Sequence, residues 1–243
     1  MAEVLIVRTG ATLEQLRAPF GDFHDWFREG MGLDEAGVDV VSPFEGEALP
    51  EPGAHRAVVV TGSSAMVTDR ANWSERTARW LRELVEQDAA AVLGVCYGHQ
   101  LLAHALGGEV GDNPRGRQIG SFELELLPAG RRDPLLGVLP PRFLAQETHV
   151  QSVLRPPGDA VVLARDTHDA HQALRYGPRA WSVQFHPEMT AAMLAGYVRH
   201  RAELLRREGL DPEERLRSLR DGEHGPRLLR RFVALATEAP SLR

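Results

Sequence analysis

The stretch Ala91-Val-Leu-Gly-Val-Cys96-Tyr-Gly-His-Gln100-Leu-Leu-Ala-His-Ala-Leu-Gly-Gly108 decides the fold. Its first five residues form a short apolar run, typical of a strand that is buried on both faces of a parallel sheet. From Tyr97 onward, apolar residues recur at helical spacing as far as the Gly107-Gly108 pair, which is a favourable left-handed helix stop. The sequence therefore predicts a strand, a sharp turn at Cys96 and a helix.

Cys96 has the surroundings of a nucleophile at this turn. Gly94 and Gly98 flank it two residues away on either side, which matches the Gly-x-nucleophile-x-Gly pattern of a turn that holds a nucleophile in a strained, accessible position. Glycine is needed there because a Cβ would collide with the neighbouring strand or helix. The N-terminus of the following helix favours the thiolate form. A lone cysteine is more often a small buried apolar residue, so the turn alone leaves both interpretations open.

A second stretch, far downstream, favours the nucleophile. Ala180-Trp-Ser-Val-Gln-Phe185 has the apolar character of another buried strand and leads into His186-Pro-Glu188. Side chains two residues apart on an extended segment point to the same side, so Glu188 can fix the tautomer of His186 while the ring faces a nucleophile. This is the arrangement of a catalytic triad in which a cysteine attacks. The sequence therefore predicts a triad of Cys96, His186 and Glu188.

The two stretches together carry a family resemblance. Gly94-Val-Cys96-Tyr-Gly-His-Gln100-Leu-Leu-Ala103, followed much later by Val183-Gln-Phe-His186-Pro-Glu188, resembles the class I (triad) glutamine amidotransferase family, in particular the amidotransferase domain of guanosine monophosphate synthetases. The similarity runs over about residues 3–189, with both motifs in the family's order. The resemblance implies an α/β fold of the flavodoxin-like kind, a three-layer sandwich with a mostly parallel central sheet. It also implies a free-standing amidotransferase-like enzyme with the same three catalytic residues.

The remaining patterns agree with one main α/β domain. Three further apolar runs, Glu3–Val7, Val38–Val41 and Ala57–Thr61, have the branched composition of parallel strands, and helical patterns lie between them. Runs of alternating polarity after the turn helix predict antiparallel additions to the sheet. We expect an amidotransferase domain over residues 1–190 and a helical C-terminal extension, residues 191–243, packed on the same domain.

The resemblance also suggests an oxyanion hole, the set of N–H donors that stabilises the developing negative oxygen. In the family, a Gly-Gly-Pro turn follows the equivalent of Ala57–Thr61, and its backbone N–H helps to hold the oxyanion. Here the turn reads Gly62-Ser63, so a serine replaces the second glycine. A backbone donor survives that replacement where the dihedral angles accept a Cβ, and we expect Gly62 or Ser63 to act together with Tyr97. A turn without chemistry remains the alternative.

Two further residues are candidate substrate contacts. Gln100 belongs to the family motif, and the resemblance implies that it contacts bound glutamine; packing within the helix is nearly as good an explanation. His149 lies in a segment, Thr148-His149-Val-Gln151, where relatives often carry His-x-Asp beside the pocket. Here Gln151 replaces that aspartate, so a neutral amide takes the place of its carboxylate.

Composition excludes several classes of protein. The net charge of −6 argues against a general nucleic-acid-binding or membrane-surface protein, and no apolar run is long enough to span a bilayer. Without a basic-then-apolar secretion signal at the N-terminus, we expect a cytoplasmic location. The single cysteine excludes an intramolecular disulfide, and the absence of lysine excludes a phosphate-loop lysine and a lysine Schiff base. The Asp166–His171 cluster is better explained as a polar turn than as a metal site, so we expect neither metal nor cofactor.

The expected reaction is hydrolysis of the glutamine side-chain amide through a γ-glutamyl thioester, releasing glutamate and ammonia. No signature of acceptor chemistry is present, so ammonia either passes to a partner synthetase or is simply released. The Gly62-Ser63 turn and the free-standing domain also resemble plant γ-glutamyl peptidases, which leaves γ-glutamyl conjugates as an alternative substrate. A catalytically degenerate binding or regulatory subunit is the remaining alternative. An α/β-hydrolase is disfavoured because its acid precedes the histidine along the chain, whereas Glu188 follows His186.

Overall fold

The computed structural model describes residues 2–237, which contain every candidate site residue named above. The helices are α1 (Glu14–Phe20), α2 (Phe23–Met31), α3 (Asn72–Glu86), α4 (Tyr97–Ala105), α5 (Pro128–Arg131), α6 (Ala191–His200), α7 (Ala202–Arg207), α8 (Pro212–Ser218) and α9 (His224–Thr237). The strands are β1 (Val4–Val7), β2 (Val38–Val41), β3 (Ala57–Val60), β4 (Ala91–Val95), β5 (Glu109–Asp112), β6 (Gln118–Leu126), β7 (Arg142–His149), β8 (Gln151–Arg155), β9 (Val161–Arg165), β10 (Ala173–Arg175) and β11 (Ala180–Val183).

Nine strands form one mixed sheet in the order β2-β1-β3-β4-β11-β10-β9-β6-β7. The first five are parallel, and β10, β9, β6 and β7 extend the sheet by antiparallel pairing. Because β4 pairs with both β3 and β11, the residues that follow these three strands meet at the same edge of the sheet. The predicted mostly parallel sheet with antiparallel additions is confirmed. Pairing changes from parallel to antiparallel between β11 and β10.

Alternating side chains of the parallel strands supply two separate apolar cores, which accounts for the three layers. On one face, side chains such as Ile6 and Leu93 pack with α2 and α9. On the other face, side chains such as Leu5 and Val92 pack with α3 and α4. A strand that is buried on both faces must be apolar at every position, and β1, β3 and β4 are.

Three strands are not evident from the sequence patterns. The small sheet of β5 and β8 was not expected, and neither was the long strand β7. The reason is that β7 buries Gln146, Glu147, Thr148 and His149, so this part of the interior is polar and carries no hydrophobic alternation.

The C-terminal helices pack on the same body as the sheet. Helix α6 lies against α1, and α9 lies against α2, β3 and β4. Helix α9 begins at His224, so Gly225 and Pro226 lie in its first turn. A boundary at residue 190 stays a prediction. No helix within residues 2–237 has the length and apolarity needed to cross a membrane.

Candidate active site

Cys96 lies at the junction between β4 and α4, in the strained turn that the glycine spacing predicts. Its backbone has φ 53° and ψ −99°, and its N–H donates to the carbonyl oxygen of Val183 at 2.9 Å. A Cβ on Gly94 would lie 2.4 Å from the carbonyl oxygen of Gly98, and a Cβ on Gly98 would lie 2.4 Å from that of Val60. Both glycines are therefore required for α4 to approach β3 and β4 so closely.

His186 and Glu188 form a buried pair just beyond the end of β11. His186 Nδ1 donates to Glu188 Oε1 at 2.7 Å, and the side chains are 3% and 0% exposed. The backbone N–H of His186 donates to the carbonyl oxygen of Gln146 at 2.8 Å, which fixes the segment to β7. Burial lowers the pKa of His186, but the negative charges of Glu188 and Cys96 outweigh it and raise that pKa well above 6.5.

The imidazole of His186 and the thiol of Cys96 share one end of the site. A Cβ placed on Gly62 would lie 3.2 Å from His186 Cε1 and 3.8 Å from Cys96 Cβ, so Gly62 sits against both. His186 Nε2 is buried and has no nitrogen or oxygen as a hydrogen-bond partner among the described residues, and interaction with the Cys96 side chain helps to raise the pKa of the ring. With Nδ1 committed to Glu188, this second nitrogen is the one available for proton transfer.

The predicted oxyanion donors follow the C-terminal ends of two adjacent strands, β3 and β4. The turn at Gly62 is fixed by Thr9, whose hydroxyl donates to the carbonyl oxygens of Thr61 and Gly62 at 2.8 and 3.0 Å. Within residues 2–237, the backbone N–H groups of Ser63 and Tyr97 donate to no protein acceptor. Tyr97 is anchored by its hydroxyl, 2.6 Å from Ser74 Oγ. Both N–H groups are thus free for a ligand oxygen.

The substrate-contact candidates converge on one carbonyl oxygen. The main-chain oxygen of Gln151 accepts from Gln100 Nε2 at 2.7 Å and from His149 Nδ1 at 2.9 Å. Gln100 also donates to Gln184, which leaves its Oε1 as the group that can contact a ligand. Both ring nitrogens of His149 have partners, since Nε2 lies 3.1 Å from Gln118 Oε1. His149 therefore lines the site without offering a spare nitrogen.

Gln151 stands out in sequence only as a departure from the family, yet the structure gives it a place in the site. Its Nε2 donates to Thr68 and Asp112 at 2.7 and 3.0 Å. Its Oε1 is buried and has no partner among the described residues. A buried carbonyl oxygen without a donor carries a desolvation cost that a ligand N–H would remove. Gln151 can therefore accept a hydrogen bond from a ligand in the site.

Glu147 was not singled out from the sequence. Its carboxylate is fully buried and lies 3.3 Å from His149 Nε2. Burial raises the pKa of Glu147; burial lowers the pKa of His149, but the carboxylate beside it brings that pKa above its usual value. The sequence did contain a signal, because Glu147 and His149 are two residues apart and so share one face of a strand.

Two cavities meet at Cys96. The small cavity, about 50 Å³, reaches Tyr97, Gln100, His149 and Gln151. The large cavity, about 390 Å³, instead reaches His186. The wall that both cavities share is formed by Ser63, Ser64, Cys96, Thr148 and Arg201. Arg201, which joins α6 to α7, was not singled out from the sequence.

The Asp166–His171 segment is an internally bonded turn. Asp166 Oδ1 accepts from the backbone N–H groups of His168 and Asp169 at 2.8 and 2.6 Å. Across residues 2–237, no group of three or more His, Cys, Asp or Glu side chains is arranged to hold a metal ion.

Comparison with known proteins gives the family. Residues 42–197 match the family model of class I glutamine amidotransferases. A glutamine-hydrolysing GMP synthase from Aeropyrum pernix is 42% identical over 144 residues, which is 59% of this chain and 26% of that protein. One subunit of the glutamine-hydrolysing GMP synthase from Ignicoccus hospitalis is 35% identical over 58% of this chain and 70% of that subunit. The chain thus matches about a quarter of the length of the Aeropyrum enzyme.

Solved structures agree on the fold. A glutamine amidotransferase from Thermotoga maritima superposes with a TM-score of 0.76 at 22% identity, over 98% of this chain and 99% of the other. A glutamine amidotransferase from Methylobacillus flagellatus gives 0.73 at 23% identity, over 100% and 99% of the two chains. Together with the match over residues 42–197, the site geometry and the relatives show that this chain belongs to the class I glutamine amidotransferase family.

Proposed function

We propose that the protein hydrolyses the side-chain amide of glutamine through a γ-glutamyl thioester on Cys96, releasing glutamate and ammonia. The observation that carries the proposal is the buried His186–Glu188 pair, 2.7 Å apart, with its free Nε2 at the end of the site that holds Cys96. A buried histidine whose second nitrogen has no partner other than a lone cysteine is costly for stability alone. Proton transfer gives this nitrogen a use.

Each residue of the triad has a defined role in the proposed reaction. His186 Nε2 takes the thiol proton, and the sulfur of Cys96 attacks the amide carbon. As the tetrahedral intermediate collapses, the C–N bond breaks and His186 passes its proton to the departing nitrogen. Water, deprotonated by His186, then adds to the thioester, and the carbon–sulfur bond breaks to give glutamate and the free thiol. Glu188 holds the ring in the required tautomer throughout.

The unpartnered backbone N–H groups of Ser63 and Tyr97 support the proposal. They are the donors we assign to the oxyanion, and one such donor typically contributes about 10²–10³ in rate. The small cavity supplies acceptors from Gln100 and Gln151, which suit the α-ammonium group of a glutamyl substrate. We therefore assign the small cavity to the glutamyl part of the substrate.

We propose that the ammonia is used by a partner chain. The two relatives compared above carry the name GMP synthase, and in Ignicoccus hospitalis the matching protein is named as one subunit of that enzyme. A glutamine-hydrolysing subunit of such an enzyme needs a synthetase to consume its ammonia. The partner is thus expected to be an amidating synthetase that binds over the mouth of the site, and a cytoplasmic location follows from that role.

A covalent label tests the nucleophile. A glutamine-analogue electrophile such as a diazoketone should add one label per chain, at Cys96, which is the only cysteine. Cys96→Ala should take no label and should lose glutamate release by at least about 10³-fold. Its melting temperature should stay within a few degrees of the parent value. Labelling of Cys96→Ala, or persistent glutamate release by this variant, would show that the nucleophile is another group.

A further inference from the structure

The large cavity lies on the leaving-group side of Cys96. Both cavities touch the cysteine, but only the large one reaches His186, and only the small one reaches Tyr97 and Gln100. In the proposed reaction the departing nitrogen receives its proton from His186. The group attached to that nitrogen must therefore extend into the large cavity.

Ammonia needs no such space. The cavity holds about 390 Å³, which is within the range of sites for small organic molecules, whereas a water-sized molecule occupies about 30 Å³. One part of its wall is formed by the buried side chains of Phe23, Met189 and Tyr197, and the rest includes polar residues such as Thr12 and Ser64. The apolar part is suited to packing against an apolar organic group.

One cation, Arg201, belongs to the wall of this cavity. Arg201 Nη1 donates to Thr148 Oγ1 at 2.6 Å, and the guanidinium lies 5.2 Å from the centre of the Tyr197 ring. Within residues 2–237, no carboxylate forms an ion pair with Arg201. Burial lowers the pKa of Arg201 from its ordinary value, which is the expected response of a partly desolvated cation. A guanidinium has five N–H donors, so several remain for a ligand.

The other charged groups near the site are already paired. Arg117, which reaches only the small cavity, donates from Nε and Nη2 to the two oxygens of Glu208 at 2.8 and 3.1 Å. Glu14, at the mouth of the large cavity, pairs with Arg17 at 3.2 Å. Arg201 is therefore the group in the shared wall whose charge a ligand carboxylate would match.

We propose that the large cavity binds the amine half of γ-glutamyl dipeptides whose C-terminal residue is apolar, and that Arg201 binds the C-terminal carboxylate. This inference rests on the proposed function, because the same cysteine and histidine perform the cleavage. The γ-amide C–N bond breaks, the carbon–sulfur bond to Cys96 forms, and His186 delivers its proton to the departing amino group of the free amino acid. Water then releases glutamate from the thioester.

Three substrates test the proposal: L-glutamine, γ-glutamyl-leucine, and γ-glutamyl-isopentylamide, which lacks only the carboxylate of the leucine unit. We expect kcat/KM for γ-glutamyl-leucine to exceed that for each of the other two by about tenfold or more. In Arg201→Gln the preference for γ-glutamyl-leucine over the isopentylamide should disappear, and Arg201→Lys should keep part of it. Arg199→Gln, an exposed change two residues away, should leave all three values unchanged.

The outcomes separate this proposal from the proposed function. If glutamine is hydrolysed and Cys96 is labelled, but γ-glutamyl-leucine is cleaved no better than glutamine or the isopentylamide, the leaving-group site is wrong and the glutaminase remains. An equal loss on all substrates in Arg201→Gln would place Arg201 on the α-carboxylate instead and would also overturn the proposal. Absence of both hydrolysis and labelling would reject the proposed function itself. The parent enzyme's ratio between dipeptide and isopentylamide decides the matter even if an Arg201 variant fails to fold.

Discussion

Cys96 holds a backbone conformation that residues other than glycine rarely adopt. With φ 53° and ψ −99° it lies outside the left-handed helical region that Arg70 occupies at φ 52° and ψ 36°. A strained residue of this kind costs about 1–3 kcal/mol and persists only where its surroundings enforce it. Here the hydrogen bond to Val183 and the start of α4 enforce it. As a result of this conformation, the thiol points into the site from the end of a strand.

The His186–Glu188 pair makes stability depend on pH. Because the folded-state pKa of His186 is raised above the ~6.5 of an unfolded histidine, its protonation stabilises the fold fully below about pH 6.5. That contribution is lost as the pH rises through the folded-state pKa. In Glu188→Gln the carboxylate is gone, and burial then favours the neutral ring. We expect Glu188→Gln to lower the free energy of unfolding by up to about 3–5 kcal/mol at pH 5.5 and by clearly less at pH 9.

Urea unfolding at the two pH values measures this difference. The matched control is Glu203→Gln, which removes an exposed carboxylate from α7 and should change little at either pH. A loss of stability in Glu188→Gln that is equal at pH 5.5 and pH 9 would mean that the raised pKa of His186 does not come from Glu188.

The turn between β4 and α4 is possible because Gly94 and Gly98 have no Cβ, which lets α4 pack closely against β3 and β4. A Cβ on Gly98 would meet backbone atoms of Val60, the carbonyl oxygen at 2.4 Å among them, and backbone cannot turn aside as a side chain can. We expect Gly98→Ala to cost at least about 3 kcal/mol of stability and to lower glutamate release in the remaining folded protein, because α4 must shift and carries the Tyr97 N–H with it. Thermal unfolding and steady-state assays measure the two effects.

Gly158→Ala is the matched change for that experiment. A Cβ at Gly158 would meet nothing within 4 Å, and its φ is not in the left-handed region. The substitution should therefore be neutral or slightly stabilising. Equal melting temperatures for Gly98→Ala and Gly158→Ala would refute the close contact between α4 and β3.

A structural feature could be predicted from the sequence when its cause lies in residues that are neighbours along the chain. The turn at Cys96 follows from glycines two residues away, and the pairing of His186 with Glu188 follows from strand geometry, so both were visible in sequence. Strand β7 could not be predicted, because its buried side chains near the site are polar and interrupt the hydrophobic pattern. Arg201 was also invisible, since its place beside Cys96 depends on how α6 packs against α1 and the sheet.

At the scale of the whole molecule, the site draws on both ends of the chain. The large cavity takes Phe23 from α2, Met189 from the segment after β11, and Tyr197 from α6. Thr12 and Tyr197, 185 residues apart in sequence, are joined by a hydrogen bond of 2.7 Å between their hydroxyl groups. Residues beyond 190 therefore contribute walls to the site, whether or not residues 1–190 form a domain that folds alone.

Helix α9 tests how far this dependence extends. It covers the face of the sheet that lies under Cys96, and Phe232 is fully buried with its ring 6.4 Å from that of Trp181. Truncating a buried phenylalanine costs about 3–5 kcal/mol, so we expect Phe232→Ala to lower the melting temperature by about 6–20 °C. Leu204→Ala, at a position 39% exposed on α7, should change it little. Because α9 shares one core with β1, β3 and β4, the lost stability should appear as a single earlier transition, in which the backbone amide hydrogens of α9 and of β4 become exchangeable at the same temperature. Exchange in α9 at a lower temperature than in β4 would instead show that the C-terminal helices are an independent unit.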